Sequence, residues 1–326
     1  MGGPKRICAG HYNGGMNAIK LNLAPIERPH ANDNTMTAGG PTVILALETS
    51  TEYCSVALLI VPAELAQLPS FGANAVQEGG ALSAELPAGL RAFYRHELTG
   101  AVSSTLLLPA VQALFARAGL PLSACTAIAF GAGPGSFTGL RTATGVAQGL
   151  AFALQVPVIP VGTLMACAEA ARAADPELGC VLAALDARMD EAYWALFAVD
   201  ADAAMGWRVL QSESLDAPQA LAVLIEPLLP PGQAFTLAGN AAAAFGERLS
   251  AAAQARALAA LALPHALPVA VLGWRAWRAG LALPADQAAP LYVRDKVAQT
   301  TEERAAAKAL RPEPLPAGAP QVKSAR

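Results

Sequence analysis

The stretch that most constrains this chain is Gly131-Ala132-Gly133-Pro134-Gly135-Ser136-Phe137-Thr138-Gly139-Leu140-Arg141. It lies between an apolar run, Ala127–Phe130, and a long helical pattern from Phe137 to Leu154. Glycines and a proline between a buried strand and a helix demand backbone conformations that residues with a Cβ avoid. Such a turn crowds amides at a helix N-terminus, where partial positive charge favours anions. It serves equally as a tight turn that lets strand and helix pack closely. No Gly-Lys-Ser/Thr follows, so it is not a P-loop, and the third glycine of a dinucleotide fingerprint is absent.

Apolar runs elsewhere set the architecture. Val43–Leu47 reads as a strand buried on both faces, Glu48–Glu52 as a polar turn and Ser55–Ile60 as the returning strand. Pro62–Gly89 reads as a long loop or irregular strand region, and 105–118 as a helix with Leu106, Leu107, Val111 and Leu114 on its apolar face. Val158–Gly162 predicts a strand and Thr163–Ala174 a helix. Val181–Leu185, the turn Asp186–Glu191 and the run Ala192–Phe197 then repeat the opening plan. Phe235–Asn240 enters a further helix, an echo of the run into Gly131. Strand, acidic turn, strand, then strand, glycine, helix, occurs twice: an internal duplication giving two related α/β domains around a cleft.

The boundaries follow. Residues 41–163 form a first domain, completed by a C-terminal helical region 268–305, and 164–267 form a second. Residues 1–40 and 306–326 read as disordered for want of periodic apolar residues. Met36 is a candidate start, and Thr300–Glu303 fits a capping box. Net charge is -3, with a pI near 5.8, which argues against a chain that grips nucleic acid unaided. Five dispersed cysteines without Cys-x-x-Cys read as reduced thiols. With no spanning apolar run and no secretory h-region, the expectation is a soluble cytoplasmic chain without membrane contact.

Glu48 and Asp186 each end an apolar strand and are expected to face each other across the cleft. There they either order water around a bound magnesium or accept amides of their own turns. Thr49, Ser50, Gly133, Gly135, Ser136 and Arg141 complete this candidate nucleotide or anion cleft. Arg141 caps an anion or pairs with a carboxylate, while Ser136 and Thr138 are explained by N-capping alone. The helix 137–154 carries one charge. Thr142, Gly145 and Gly149 form a small-residue ridge beside Leu140, Val146 and Leu150, to be covered by its own domain or by a partner subunit. The four histidines, His11, His30, His96 and His265, include no pair four residues apart, and no catalytic constellation assembles by spacing.

Acidic strand turns and glycine loops in two halves resemble the superfamily of actin, sugar kinases and heat-shock ATPases (ASKHA, ribonuclease H-like domains with mixed sheets flanked by helices). Ile44–Ser50, Gly133–Arg141, Gln148-Gly149-Leu150-Ala151 and Tyr292-Val293-Arg294 resemble the TsaB (YeaZ) family over about 43–304. Glu48 stands where that family often has Asp, Ser103 where it commonly has His, and Pro62–Arg95 is longer than usual.

The resemblance implies an accessory, non-catalytic subunit. It implies pairing with a TsaD-type paralogue and a TsaE-type ATPase, and a homodimer when alone. The product would be threonylcarbamoyladenosine (t6A) at position 37 of tRNAs reading ANN codons. Transfer chemistry would belong to the paralogue, whose metal sits on a His-x-x-x-His pair missing here, so no metal is expected. tRNA would be bound only through the complex, and ATP or ADP with magnesium weakly at most, at the complex interface. The competing reading is an ATP-binding or ATP-hydrolysing enzyme using the interdomain cleft. The partner interface is expected on helices 105–118 and 137–154.

Overall fold

The computed structural model describes residues 40–68, 82–85 and 89–294. The expected terminal extensions, the capping box at Thr300–Glu303, the candidate start Met36 and most of the 62–89 stretch lie outside those residues.

Eleven strands form two sheets among the described residues. In the first, β1 (Thr42–Glu48) is central. It pairs antiparallel with β2 (Tyr53–Val61) and parallel with β5 (Ala127–Gly133). β4 (Arg91–Leu98) and β3 (Leu82–Glu85) extend one edge, and β6 (Val158–Gly162) the other. The second sheet repeats the pattern. β7 (Cys180–Asp186) lies between antiparallel β8 (Ala192–Val199) and parallel β10 (Phe235–Ala238), with β9 (Trp207–Asp216) and β11 (Ala257–Ala259) outermost. The orders β4-β2-β1-β5-β6 and β9-β8-β7-β10-β11 superpose element for element, with β3 the single addition.

The helices duplicate as well. α1 (Ser103–Ala118) precedes β5, and α4 (Leu221–Ile225) precedes β10. α2 (Phe137–Leu154) links β5 to β6, while the short α5 (Ala241–Phe245) and α6 (Ala251–Gln254) link β10 to β11. α3 (Thr163–Ala174) follows β6, and α7 (Ala266–Arg278) follows β11.

The layers follow from side-chain alternation along the strands. Val43, Leu45 and Leu47 face α1 and α2, while Ile44 and Ala46 face α3 and α7. The second sheet turns Val181, Ala183 and Leu185 toward the same central core, and Leu182 and Ala184 toward α4–α6. The result is five layers, with α3 and α7 between the sheets and small residues such as Ala166 and Ala270 letting them fit.

Two strands are not anticipated by the sequence reading, and one expectation needs correction. β4 and β9 carry no continuous apolar run and escape a reading based on one. β4 pairs with β2 along one edge and β3 along the other, β9 pairs with β8, and β4 keeps Phe93 and Tyr94 buried. Among the described residues the helix expected from 268 onward stops at Arg278, and the stretch 295–305 lies outside those residues. Gly280 leaves the helical region at φ +71°, Pro284 and Pro290 follow, and a short 3-10 turn at Ala285–Gln287 is the remaining helical structure up to 294. α7 packs on β1, β2, β5 and β6 of the first sheet.

Candidate functional site

The glycine stretch forms the end of β5 and the first turn of α2, and the β1–β2 turn sits directly upon it. A Cβ at Gly139 would lie 1.7 Å from the Thr49 carbonyl oxygen, and one at Gly135 would lie 2.6 Å from Ser50 Cβ. Two hydrogen bonds seal the contact: Thr49 Oγ1 donates to the Gly139 carbonyl and the Ser136 N–H donates to the Ser50 carbonyl, each at 2.7 Å. Ser136 also caps the helix, its Oγ accepting from the Gly139 N–H at 3.4 Å. The Ser136 amide therefore meets a carbonyl of the chain itself, and the glycines are explained by close approach.

Glu48 and Asp186 begin from the same local pattern. Glu48 Oε1 accepts the Ser50 N–H at 2.5 Å, and Asp186 Oδ1 accepts the Arg188 N–H at 2.8 Å, two residues on in both halves. Their surroundings differ. Glu48 is 1% exposed, with Oε2 against Gly131, where a Cβ would come within 1.8 Å. That oxygen has no hydrogen-bond partner, and burial raises the carboxyl pKa against the weaker opposing effect of the Ser50 and Thr49 hydrogen bonds. Asp186 instead lines the cleft, ion-paired to Arg188 at 3.0 Å, with its own N–H held by Asn240 Oδ1 at 2.9 Å. The expected carboxylate pair across the cleft does not form, because Glu48 points under the glycine loop.

The cleft itself exists, with a volume of about 570 Å³. Thr49, Ser50, Gly135, Ser136 and Asp186 line it; Glu48, Gly133 and Arg141 do not. Arg141 pairs with no carboxylate among the described residues. Its guanidinium stacks 3.9 Å from the Phe137 ring and its Nε donates to Tyr292 Oη at 3.0 Å. Gly133, at φ +125°, gives room to the Leu291 carbonyl, 2.5 Å from where a Cβ would be. Asn240, Arg188 and the segment Leu291–Arg294 are cleft residues that spacing did not single out as a site. The signals available were Asn240 directly after Gly239, in the echo of the glycine loop, and the Tyr292-Val293-Arg294 motif.

The helical face divides sharply. Leu107, Val111 and Leu114 of α1, with Leu140 of α2, are buried in their own half, and Leu106, Val146 and Leu150 are partly buried against the same core. Thr142 lines the cleft. Gly145 and Gly149 remain open, with nothing within 4 Å of a Cβ at either. Leu108, a residue that widens the apolar face of helix 105–118 in the sequence, is 44% exposed on α1, and Phe152, which the periodicity does not single out, is 71% exposed on α2. No group of three or more His, Cys, Asp or Glu poised for a metal occurs among the described residues, and no helix there is long and apolar enough to cross a membrane.

Duplicated lobes, each built on a strand–acidic turn–strand unit, with paired helices between the sheets, define a protein of the actin-like class. Comparison with known proteins narrows this. Residues 97–302 match the family described as TsaD: tRNA N6-adenosine threonylcarbamoyltransferase. The structure of YeaZ from Pseudomonas aeruginosa is similar at 36% identity and a TM-score of 0.60, covering 77% of this chain and 99% of that one. The TsaB proteins of Haemophilus influenzae and Escherichia coli, named for tRNA threonylcarbamoyladenosine biosynthesis, are each 35% identical over 54% of this chain. Those two matches span 64% and 63% of the relatives' own lengths. The chain belongs to the TsaB/YeaZ family.

Proposed function

We propose that this chain is an accessory subunit in the formation of threonylcarbamoyladenosine at position 37 of tRNA, serving to dock a TsaD-type catalytic paralogue. The observation that carries the reading is the outer face of α1 and α2. Gly145 and Gly149 are open to solvent on a helix whose single charge is Arg141, with Phe152 exposed on the same helix and Leu108 exposed on α1. Small residues four apart let a second helix approach closely, and exposed large apolar side chains beside them mark a surface for association. The match of this chain to the TsaD family description supports a partner of similar fold. Catalysis is assigned to that partner, with a TsaE-type ATPase as the further component and tRNA engaged by the assembly. In its absence, the same face pairs two copies of this chain.

The alternative, an ATP-using enzyme working in the cleft, has the cleft volume in its favour. Against it stand the Ser136 amide bonded to Ser50 and the withdrawal of Glu48 beneath Gly131.

The test is Gly145→Arg, with folding checked by circular dichroism and binding to a TsaD-type partner by calorimetry. Gly145 is the better target than Val146, because a charge at half-buried Val146 would also disturb the chain's own core. A folded variant should lose association by orders of magnitude. Full binding by that variant would assign the helices to the fold alone.

A further inference from the structure

One segment joins the lobes across the mouth of the cleft and has no part in the docking reading. After α7 the chain runs back along the first lobe. Leu283 forms a two-way bridge with Val158 on β6, each N–H donating at 2.8 Å, and Ala288 packs against the core beneath α2. It then crosses. The Leu291 N–H donates to the Ala132 carbonyl at 2.7 Å. Tyr292 lies 5.4 Å from Phe137, ring centre to ring centre, and its hydroxyl accepts from Arg141. These contacts all belong to the first lobe.

Two residues later, Arg294 belongs to the second. Its Nη2 donates to Glu191 Oε2 and to the Arg188 carbonyl, its Nη1 approaches Met189 Sδ at 3.5 Å, and its guanidinium lies 6.0 Å from the Tyr193 ring centre. The side chain is 15% exposed, so the ion pair is shielded more than an ordinary surface pair. Its target is a strained turn: Arg188, Met189 and Asp190 are three successive non-glycine residues at φ +62°, +57° and +61°. Left-handed backbone persists in such residues only where surrounding contacts over-determine it.

We propose that Leu291–Arg294 is a strap holding the two lobes together at the cleft mouth, with Arg294 as its catch and the Arg188–Glu191 turn as its keeper. A short segment fixed to both lobes by a few contacts at an open edge is the least expensive tertiary connection between them to undo. Releasing Arg294 frees the second lobe's turn without exposing either sheet core, and widens access to the cleft wall formed by Thr51 and Asp186.

The experiment is amide hydrogen exchange on the full chain and on Arg294→Ala, Glu191→Gln and the charge-swapped pair Arg294→Glu with Glu191→Arg. In Arg294→Ala, exchange across 187–191 and 291–293 should rise about tenfold or more while β1 and β7 keep their protection, and the swapped pair should recover part of it. With Cys8 replaced by serine, a thiol placed by Thr51→Cys should also be modified faster in the Arg294→Ala background; the native cysteines at 54, 125, 167 and 180 are buried. Unchanged exchange in both segments would overturn the proposal. So would a rise spread equally over β1 and β7, since that reports general loosening of the fold.

Discussion

Two alanines on one helix test the reading of α2 most directly. Gly145 and Gly149 lie within a helix of 18 residues, and a Cβ added at either meets nothing within 4 Å. Glycine in a helix interior is less favourable than alanine by about 0.8–1.0 kcal/mol, mostly from the freedom it holds when unfolded. Gly145→Ala with Gly149→Ala should therefore stabilise the isolated chain by about 2 kcal/mol. For a folded region of this size that corresponds to about 4–8 °C in Tm. Association should move the other way. A methyl group inserted at a close helix crossing costs about 1–3 kcal/mol, or about five- to 150-fold in Kd. Thermal melts at low, fixed protein concentration give the first quantity, and calorimetric titration with a TsaD-type partner the second. A lower Tm would mean that the two positions are already occupied in the isolated chain. A higher Tm with unchanged Kd would mean that the small residues do not serve a helix crossing.

Gly139→Ala, six residues earlier on the same helix, should behave oppositely and destabilise by about 1–3 kcal/mol or more, because its Cβ would fall on the Thr49 carbonyl; urea titration gives the difference. His265 is held to a pKa of about 3, first by burial and then by the nearby His96. The unfolded imidazole near 6.5 binds protons that the folded one refuses, so this contribution is whole above pH 6.5 and falls toward pH 3 by up to about 1.4 kcal/mol per unit. Urea midpoints from pH 7.5 to 4.5 should show that slope, and a folded His265→Leu should flatten it. Glu48, whose pKa is raised, has the opposite sign: its contribution is present below the unfolded carboxyl pKa and lost as pH rises through the folded one. Glu48→Gln should thus raise stability at pH 8 and leave it nearly unchanged at pH 4, and a loss at pH 8 would show that the charge is needed. Glu169 accepts from Trp207 Nε1 at 2.7 Å and from Arg275 Nη1 at 2.9 Å inside the core. Its replacement by alanine removes the carboxylate partner of Arg275, a partly exposed guanidinium that keeps the Met205 carbonyl, and should cost about 1.5–3 kcal/mol by chemical denaturation.

The sequence by itself determined the local elements and their repetition. Helices 137–154 and 163–174 were legible to the residue, because caps and periodicity are short-range properties. The two acidic turns were legible as copies, since each carboxylate bonds an amide two residues on. Tertiary structure decided what those copies do. Glu48 and Asp186 share a pattern, but Gly131 leaves a hollow that draws the first carboxylate into the interior, whereas the second is left on the cleft wall. Leu107, Val111 and Phe152 are all apolar residues on long helices, yet the first two cover the chain's own sheet and the third points outward. Periodicity reports that a helix has an apolar stripe, not how much of it one sheet can cover. The charge of Arg141 suits anions and carboxylates. Its actual partners, Phe137 and Tyr292, include one 151 residues away, brought beside it only when the chain returns across the cleft. β4 and β9 escape the sequence for a related reason: strands without a continuous apolar run acquire their identity from the neighbour they pair with, and that neighbour is fixed by topology.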